Sequence, residues 1–496
     1  MSLAAAVRPA LGWATMGLYG FGAVANQVKL RGLATFLMVF YNQVMGLPAA
    51  TVGLAASIAL IFDAFVDPTI GQISDNTRTR WGRRHPFMYA AAVPVSIAFL
   101  LLWNPPEGLE GMQILAYLLA CLLTIRLFDT FFELPSQALL PELTEDYHKR
   151  TVIFSLRVFF GSTGGLIMYL LALTVFMKEG EGRGGMLERD GYFAYSLTAA
   201  IVIFTAIMVS TLATHRFIPW LRAAPTRRVT LSNQAREMVH TVKNHAFMVT
   251  TLSGMFTALA GACKGQLDLY FGLFFWGFNQ KQLGALAIAT VAATFVGAFL
   301  APLIARRLGK KAGAITAYSI ALAIGVTPIL LRLVDVMPAN GTPLLFWIII
   351  VETFLNASFA VATGVLLQAM IADIVEDAEV RTGRRSEGLL FSADNLFKKI
   401  SSAGGPVLAG VMLTLVAFPA NARKSGVEPE VLRNLALVYL PIVGSLYGVA
   451  ILCLFLYRIT KQSHEENLRK LAAAAAEAVG EGDEEGPLPA PAPGAV

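Results

Sequence analysis

The sequence predicts an all-α polytopic membrane protein with twelve transmembrane helices arranged as two six-helix bundles. Its composition is the first observation, since 56% of the 496 residues are hydrophobic and only 15% are charged, unlike soluble chains. The second is that the apolar residues fall in twelve runs, each near the roughly 20 residues that cross a bilayer as a helix. The third is that the longest polar loop separates six of these runs from the other six.

The twelve apolar runs define the expected membrane spans, which we number in chain order. Their expected limits are residues 12–45, 49–73, 87–104, 112–134, 151–177, 192–213, 246–276, 282–304, 312–334, 343–372, 389–418 and 433–457. The three cysteines, Cys121, Cys263 and Cys453, lie inside these runs, which argues against a disulfide framework or a thiolate metal site.

Charge in the loops predicts the orientation of the chain. If the N-terminus is cytoplasmic, the inner loops carry nineteen lysine and arginine residues and the outer loops carry six. The positive-inside rule therefore places both termini in the cytoplasm, and we expect an integral protein of a bacterial inner membrane. The net charge of +6 does not indicate a nucleic-acid partner, because the basic residues are spread over short loops.

The domain organisation follows from the same pattern. We expect an N-terminal bundle at 1–213, a cytoplasmic central loop at 214–245, a C-terminal bundle at 246–457 and a cytoplasmic tail at 458–496. The central loop is either an interfacial helix or a plain tether, and the tail is expected to be largely disordered. Basic turns follow both span 2 and span 8, so the halves repeat, as they do in transporters built from two bundles.

Span 2 carries the most informative charges. Asp63 and Asp67 lie four residues apart, hence on one helical face, and each is costly at bilayer depth without a partner or a task. Two carboxylates in one low-dielectric site either take up a proton or bind a hard cation such as Na+. Thr130 of span 4 can supply a further oxygen ligand. The sequence thus predicts a coupling-cation site, and the alternative is a structural ion pair with a basic residue of another span.

Further polar side chains in the spans predict a polar cavity. Lys399 of span 11 can cross this cavity to the span 2 acids and give way to an arriving cation, or it can snorkel to the inner surface. The C-terminal half also holds an expected Lys264–Asp268 ion pair and Glu352. The candidates for contact with a solute are Asn26, Gln27, Lys29, Arg31, Arg126, Glu133, Gln137, Arg157 and Asn395. For Lys29, Arg31 and Arg126 a plain salt bridge is an equally good interpretation.

Motifs for other membrane chemistry are missing from the sequence. It has no phosphate-binding glycine loop ending in Lys-Ser/Thr, so ATP-driven pumping lacks its motif. It also has no His-Glu-x-x-His pair and no nucleophile elbow, which argues against a membrane-embedded hydrolase. We therefore expect a protein that is not an enzyme and that uses no cofactor besides its coupling ion.

A long motif runs from Asp63 to Phe87 and reads DAFVDPTIGQISDNTRTRWGRRHPF. It strongly resembles the glycoside-pentoside-hexuronide:cation symporters of the major facilitator superfamily. Segments 19–23, 140–151 and 373–388 resemble the same family, so the resemblance covers both halves and nearly everything except the tail. It implies the major facilitator fold and cation-coupled transport of a small solute.

The resemblance also implies roles for individual residues. Asp63, Asp67 and Thr130 fall on cation-site positions of the family, and Lys399 falls on a lysine that faces that site. Glu133 falls on a sugar-binding acid and Arg157 on a cavity arginine. The sequence departs from the family at three positions, where a sugar-binding aspartate, a stacking tryptophan and a sodium-binding asparagine are replaced by Gln27, Gln137 and Val66.

These departures leave the coupling ion and the solute open. Loss of an oxygen ligand weakens sodium more than protons, so both Na+ and H+ remain candidates. The excess of cationic residues suits a carboxylated sugar such as a hexuronide, and it equally suits a phosphate-bearing lipid. The alternative to a sugar, glycoside or hexuronide symporter is therefore a transporter of lysophospholipids or other amphipathic anions. A third interpretation is a membrane receptor that binds its ligand without transporting it. The intramembrane charges disfavour this interpretation, because a receptor has no need to hold such costly groups.

The hypothesis from sequence is symport by alternating access. A cation neutralises the span 2 acids, the solute binds between the bundles, and only the loaded or the empty carrier reorients. We expect a monomeric protein whose partners are the solute, the cation and membrane lipids. The residues expected to latch the inner end of the outward-open state are Asp75, Arg78, Arg83, Arg84 and Glu142.

Overall fold

The computed structural model describes residues 9–144, 146–180, 183–221, 245–382, 387–420, 422 and 426–457. Its regular structure is helical apart from a two-residue antiparallel ladder between Glu179–Gly180 and Arg183–Gly184. The all-α fold class is therefore confirmed. Most of the predicted central loop, from residue 222 to 244, and the predicted tail from 458 lie outside the described residues.

Ten helical segments in the described chain are long and apolar enough to cross a membrane. They form spans 2–10 and span 12. Their helices are Ala49–Asn76, His85–Leu102, Met112–Leu143, Tyr147–Leu171, Asp190–His215, His245–Tyr270, Gln280–Leu308, Lys310–Leu333, Pro343–Thr382 and Pro429–Phe455. Large apolar side chains such as Phe65, Phe299 and Leu415 are exposed on their outer faces, as expected for helices that face lipid.

Spans 1 and 11 are each built from two shorter helices. Span 1 consists of Trp13–Phe21 and Ala23–Val39, and span 11 consists of Glu387–Ser402 and Gly404–Leu415. The break in span 11 has a local cause, because Pro406 lacks the N–H that would donate to the carbonyl of Ser402. Together with the ten continuous segments, these two broken helices account for the twelve predicted spans within the described residues.

Two spans run further inward than hydropathy predicts. Span 4 continues nine residues beyond its expected limit to Leu143, and span 10 continues ten residues to Thr382. Hydropathy marks where the bilayer ends, whereas a helix can continue into water while its own backbone hydrogen bonds hold. The extension of span 4 brings Glu142 to the inner end of the molecule, among basic residues described below.

The helices pack as two groups. Spans 1–6 contact one another, spans 7–12 contact one another, and the two halves meet where span 2 packs on span 11, span 1 on span 7, and span 5 on span 8. This is the predicted two-bundle architecture. The proposed boundaries at 213–214 and 245–246 stay a prediction, because the segment between the halves lies outside the described residues.

Spans 1 and 7 show at atomic detail that the halves repeat. Each ends in one π-helical turn, Phe40–Val44 in span 1 and Phe271–Phe275 in span 7. Each turn is followed by a glycine with positive φ, which is 77° at Gly46 and 65° at Gly277. Residues that carry a Cβ rarely adopt this backbone conformation. The same device therefore reverses the chain at the predicted outer end of the first span of each half.

At that outer end, buried hydrogen bonds join the two halves. The hydroxyl of Tyr270 donates to Asn42 Oδ1 at 2.9 Å, and Gln43 Nε2 donates to the carbonyl of Pro419 at 3.0 Å. The backbone N–H of Ala422 donates back to Gln43 Oε1 at 2.9 Å. One glutamine of span 1 is thus held on two sides by the loop that follows span 11.

Two glycines allow spans 2 and 11 to touch through their backbones. A Cβ added to Gly53 would lie 2.2 Å from the carbonyl oxygen of Pro406, and one added to Gly410 would lie 2.5 Å from that of Ala49. The described hydrogen bonds and backbone contacts between the halves thus lie at the predicted outer end, with the ion pairs of Lys399 further along the interface.

Candidate transport site

The two acids of span 2 lie on one side of their helix around a shared hydroxyl. Thr130 Oγ1 of span 4 lies 2.8 Å from Asp67 Oδ1 and 3.3 Å from Asp63 Oδ1. Asp63 and Thr130 are buried, and Asp67 is half-buried. Two carboxylates and one hydroxyl thus converge at the point that the four-residue spacing indicates.

Lys399 reaches this group from the opposite half. Its Nζ lies 2.8 Å from Asp63 Oδ2 and also contacts Asp67 Oδ2, with the side chain 30% exposed on the wall between the halves. In this state the lysine therefore crosses to the acids and does not snorkel to the inner surface. Among the described residues it forms the only ion pairs between the halves.

A second cation lies at the edge of the same group. Arg126 Nη1 is 3.5 Å from Asp63 Oδ2, a looser ion pair than the one with Lys399. The negative charges of the two span 2 acids are therefore balanced by the positive charges of Lys399 and Arg126. A monovalent cation that entered would find two carboxylates and a hydroxyl as oxygen ligands once Lys399 moved away. The described chain holds no group of three or more His, Cys, Asp or Glu side chains of the kind that binds divalent metals.

A separate polar cavity lies in the N-terminal half, between spans 1, 4 and 5. It has a volume of about 360 Å3, within the usual range of roughly 300–1,000 Å3 for ligand pockets. Five of the predicted solute contacts line this N-half cavity: Asn26, Gln27, Glu133, Gln137 and Arg157. Arg157 Nη2 lies 3.2 Å from Glu133 Oε1, and Gln137 Nε2 donates to the same oxygen at 2.6 Å.

Tyr19 and Ser136 hold Arg157 in place, and neither was among the predicted site residues. Arg157 Nη1 donates to Ser136 Oγ at 2.8 Å, and its guanidinium lies 5.3 Å from the centre of the Tyr19 ring. The Tyr19 hydroxyl donates to the Ser136 carbonyl. The signal for Tyr19 was its place in the motif segment 19–23, whereas nothing in the sequence pointed to Ser136.

Lys29 was predicted either to contact the solute or to form a plain salt bridge, and in this structure it contacts an acid of span 4. Its side chain is only 1% exposed and its Nζ contacts Asp129 Oδ1 of span 4. The reason is helical rotation, since Lys29 lies two residues from both Gln27 and Arg31 and so points roughly 160–200° away from them. The salt-bridge interpretation holds for this lysine.

Arg31 lines a different cavity, which we name the interface cavity because both halves contribute to it. Its volume is about 430 Å3. Besides Arg31, its polar lining includes Lys264, Asp268, Glu352 and Asn356 from spans 7 and 10. The Lys264 ammonium lies 2.7 Å from Asp268 Oδ1, as the i, i+4 spacing predicts.

Asn395 is exposed and forms no hydrogen bond with another predicted site residue in the described part of the chain. It lies one turn before Lys399, on the same side of the helix. Its neighbour Asp394 faces the other way, is fully buried and accepts from Lys398 Nζ at 2.6 Å. A role for Asn395 in solute contact stays a prediction.

The predicted gate residues cluster at the inner end of the N-terminal half. Arg83 and Arg84 both contact Glu142, Arg84 at 2.9 Å, and Asp75 lies 3.6 Å from Arg84. Burial lowers the pKa of Arg84, and the neighbouring Glu142 carboxylate partly offsets this effect. Arg78 is exposed. All of these pairs lie within one half, so a latch between the halves stays a prediction for the outward-open state.

The expected surplus of cationic residues disappears once partners are assigned. Lys29 pairs with Asp129, Arg126 approaches Asp63, and Arg157 pairs with Glu133. Arg31 shares its cavity with one lysine and two acids. The described cavities are therefore close to neutral, so their charge does not favour a hexuronide or a phosphate-bearing lipid over a neutral solute.

Comparison with known proteins gives matches that cover most of the chain. The family model described as MFS/sugar transport protein matches residues 18–461. The chain is 24% identical over 450 residues to the isoprimeverose transporter of Lactiplantibacillus pentosus, covering 90% of this chain and 89% of that protein. It is 27% identical over 469 residues to YagG of Escherichia coli strain K12, provisionally named a glycoside/cation symporter, covering 93% of this chain and 96% of that protein.

A solved structure supports the fold. The inward-open xylose transporter XylE from E. coli superimposes with a TM-score of 0.59 at 16% identity, covering 92% of this chain and 98% of that one. The chain is thus a multi-pass membrane transporter and not an enzyme. It belongs to the MFS/sugar transport protein family, which confirms the resemblance to the glycoside-pentoside-hexuronide:cation symporters of the major facilitator superfamily.

Proposed function

We propose that this protein couples inward movement of Na+ or H+ to uptake of a neutral sugar or glycoside by alternating access. One observation carries the proposal: Lys399 of the C-terminal half contacts both Asp63 and Asp67 of the N-terminal half. A coupling cation and this lysine have the same positive charge and the same two carboxylates as partners. They therefore compete for one site that lies between the moving halves.

This competition explains how binding can control reorientation. Bare carboxylates at this depth are costly, so the halves can rearrange around the acids only while a positive charge compensates them. In the loaded carrier the cation supplies that charge, and in the empty carrier Lys399 does. Release of the cation lets Lys399 take its place, which opposes rebinding and allows the empty carrier to return.

The N-half cavity is the proposed site for the sugar. Its amides donate and accept hydrogen bonds, as hydroxyl groups of a sugar require. The Glu133–Arg157 pair adds one strong acceptor and one strong donor without net charge. A hexuronide would bring its carboxylate next to Glu133 or would have to break this pair, so a neutral solute fits better.

The remaining features concern the membrane and the assembly. The charge asymmetry of the loops supports an inner-membrane protein with both termini in the cytoplasm. The exposed apolar side chains of the spans support contact with lipids, and cavities built within one chain support a monomeric carrier. The Arg83, Arg84 and Glu142 cluster is the proposed source of inner-end contacts in the outward-open state.

The coupling proposal is tested in proteoliposomes. A thermal-shift screen with neutral glycosides, hexuronides and lysophospholipids first identifies the solute, and a shift with lysophospholipids alone would contradict a sugar. Counterflow and uptake are then measured under Na+ and pH gradients for wild type, Asp63→Asn and Asp67→Asn. We expect both variants to keep solute exchange and to lose the response to the cation gradient.

The matched control is Glu107→Gln, which removes an exposed acid in an outer loop. It should behave like the wild type. An unchanged response to both Na+ and pH in the two span 2 variants would remove the coupling site from the mechanism.

A further inference from the structure

A third cavity lies inside the C-terminal half and has no task in the transport scheme above. It is enclosed by side chains of spans 7, 9, 10 and 12, and we name it the C-half cavity. Its volume is about 260 Å3. None of the described residues that form the cation site or the N-half cavity lines it. A ligand in this space would therefore be bound apart from the cation and the solute.

Glycines without close neighbours form part of its wall. A Cβ added to Gly364 of span 10 or to Gly444 of span 12 would meet nothing within 4 Å, and one added to Gly261 of span 7 would meet only the Tyr447 hydroxyl oxygen, at 3.9 Å. Glycine destabilises a helix relative to alanine. At Gly53 the missing Cβ lets two helices touch, whereas at these three positions no other helix comes closer. The three glycines instead leave room for the cavity.

Two tyrosine hydroxyls at the wall lack hydrogen-bond partners. Tyr439 and Tyr447 of span 12 line the cavity, and neither hydroxyl forms a hydrogen bond with another described residue. The Tyr318 hydroxyl, by contrast, contacts Thr257 Oγ1. Tyr439 is only 7% exposed, and a buried tyrosine hydroxyl usually has a partner. An oxygen acceptor on a bound molecule would supply one.

The lining also limits the charge and the size of a ligand. Lys264 is the only charged side chain among the described residues of the wall, and it is already paired with Asp268 at 2.7 Å. A charged ligand would lose its hydration without gaining a free counter-charge. An apolar cavity of roughly 150 Å3 holds one benzene ring, so the volume of about 260 Å3 gives room for two fused rings. The rings of Tyr318 and Tyr447, edge to face at 5.7 Å, add aromatic surface.

We propose that the C-half cavity binds a neutral aromatic molecule of two fused rings that carries an oxygen acceptor. The rings fill the space that the glycines leave open, and the acceptor takes the hydrogen bonds of Tyr439 and Tyr447. All the helices around the cavity belong to one half, so this ligand stays in place while the halves move. It is bound and not transported, and it acts on the carrier without competing for the cation site or the N-half cavity.

The experiment uses coumarin and naphthalene, which both have two fused rings, although only coumarin carries oxygen acceptors. Binding to the protein in lipid nanodiscs is measured by equilibrium dialysis, with binding to empty nanodiscs subtracted. We expect one coumarin per protein. Gly444→Val should weaken both probes at least tenfold, because the new side chain fills the cavity. Tyr439→Phe should weaken coumarin roughly three- to tenfold, as expected for one lost hydrogen bond, and naphthalene less than twofold.

The matched control is Gly448→Val, one turn further along span 12. A Cβ added there also meets nothing within 4 Å, but Gly448 does not line the cavity, so neither probe should bind differently. Saturating Na+ and Asp63→Asn should leave coumarin binding unchanged as well. Absence of coumarin binding in wild type, or equal binding by wild type and Gly444→Val, would overturn the site. Displacement of coumarin by Na+, or its loss in Asp63→Asn, would assign the bound molecule to the transport pathway and would also overturn the proposal.

Discussion

Two adjacent lysines of span 11 show how a single residue step changes the role of a charge. Lys398 pairs with Asp394 one turn earlier on its own helix, and Asp394 also accepts from Thr251 at 3.2 Å. Lys399, rotated by about 100°, points instead to the acids of the other half. The first pair holds a helix in place, whereas the second connects two bodies that must move.

Replacing Lys399 by glutamine should strengthen binding of the coupling cation. The lysine competes with the cation, and charge-assisted hydrogen bonds are worth about 1.5–3 kcal/mol, so its loss should raise cation affinity roughly tenfold or more. Uphill uptake should fall, because the empty carrier loses its internal charge. Calorimetric titration with Na+, and with acid if protons couple, measures the change.

Lys398→Gln is the matched control for that experiment. It should lower thermal stability, because Asp394 is left without its cation, while cation affinity stays the same. If Lys399→Gln instead abolished cation binding, the lysine would be a supporting part of the site and not a competitor.

The Lys29–Asp129 pair should matter for stability and not for the solute. Removing one member of a buried ion pair costs about 3–5 kcal/mol, and the lower end applies because Asp129 remains 20% exposed. Lys29→Met should therefore lower the melting temperature in detergent, and Lys29→Met with Asp129→Leu should recover most of the loss. Solute affinity of the double variant should equal that of wild type; a large loss would return Lys29 to the binding site.

Residue spacing predicted the cation group better than the solute contacts. Asp63 and Asp67 were placed together from burial cost and helical spacing, the hydroxyl oxygen of Thr130 and the family resemblance added this residue, and the three side chains do meet. Spacing could also have excluded Lys29, which lies off the face shared by Gln27 and Arg31. The partner of each base could not be predicted, because packing sets how each helix is rotated in the membrane.

At the scale of the element, hydropathy located the spans but not their breaks and extensions. Hydropathy measures how favourably a segment transfers into lipid. It therefore does not report the backbone hydrogen bond that Pro406 removes in span 11, or the helical turns that span 4 adds beyond the bilayer. The same limit applies to the backbone contact of spans 2 and 11, since only the assembled fold shows which glycines lie at the crossing.

Gly53→Ala should open the outer end. The new Cβ would lie 2.2 Å from a backbone oxygen of span 11, and overpacking of this kind costs about 1–3 kcal/mol in the closed state alone. The ratio of outward-open to inward-open molecules should rise about tenfold. Spin labels at Met112 and Val336, exposed on opposite halves at the outer end, report it as a longer distance.

These labels require a background without Cys121, Cys263 and Cys453, which are all buried. The control is Gly448→Ala, a helical glycine whose added Cβ meets nothing within 4 Å. An unchanged distance in Gly53→Ala would mean that spans 2 and 11 do not separate during the cycle.

For the whole molecule, the described contacts between the halves are concentrated at the predicted outer end. The outer end holds buried hydrogen bonds and backbone packing between the halves, and Lys399 adds the ion pairs halfway across. At the predicted inner end, Arg83 contacts Glu142 within one half and Lys310 contacts Asp373 within the other. Reorientation must break the outer contacts and form inner ones of similar free energy, since the carrier has to visit both states.

Gln43 tests this balance, because it forms two of the outer hydrogen bonds between the halves. At about 1 kcal/mol each, their loss in Gln43→Ala should shift the equilibrium by about 2 kcal/mol, or roughly thirtyfold, toward the outward-open state. The Met112 and Val336 labels should then report a mainly longer distance. Gln282→Ala removes one outer-end hydrogen bond within one half, from the Asn279 N–H to Gln282 Oε1, and should leave the distance unchanged. If Gln43→Ala and Gln282→Ala behaved alike, the outer hydrogen bonds would stabilise the fold and not select the state, and the balance would have to rest on the glycine crossing and Lys399.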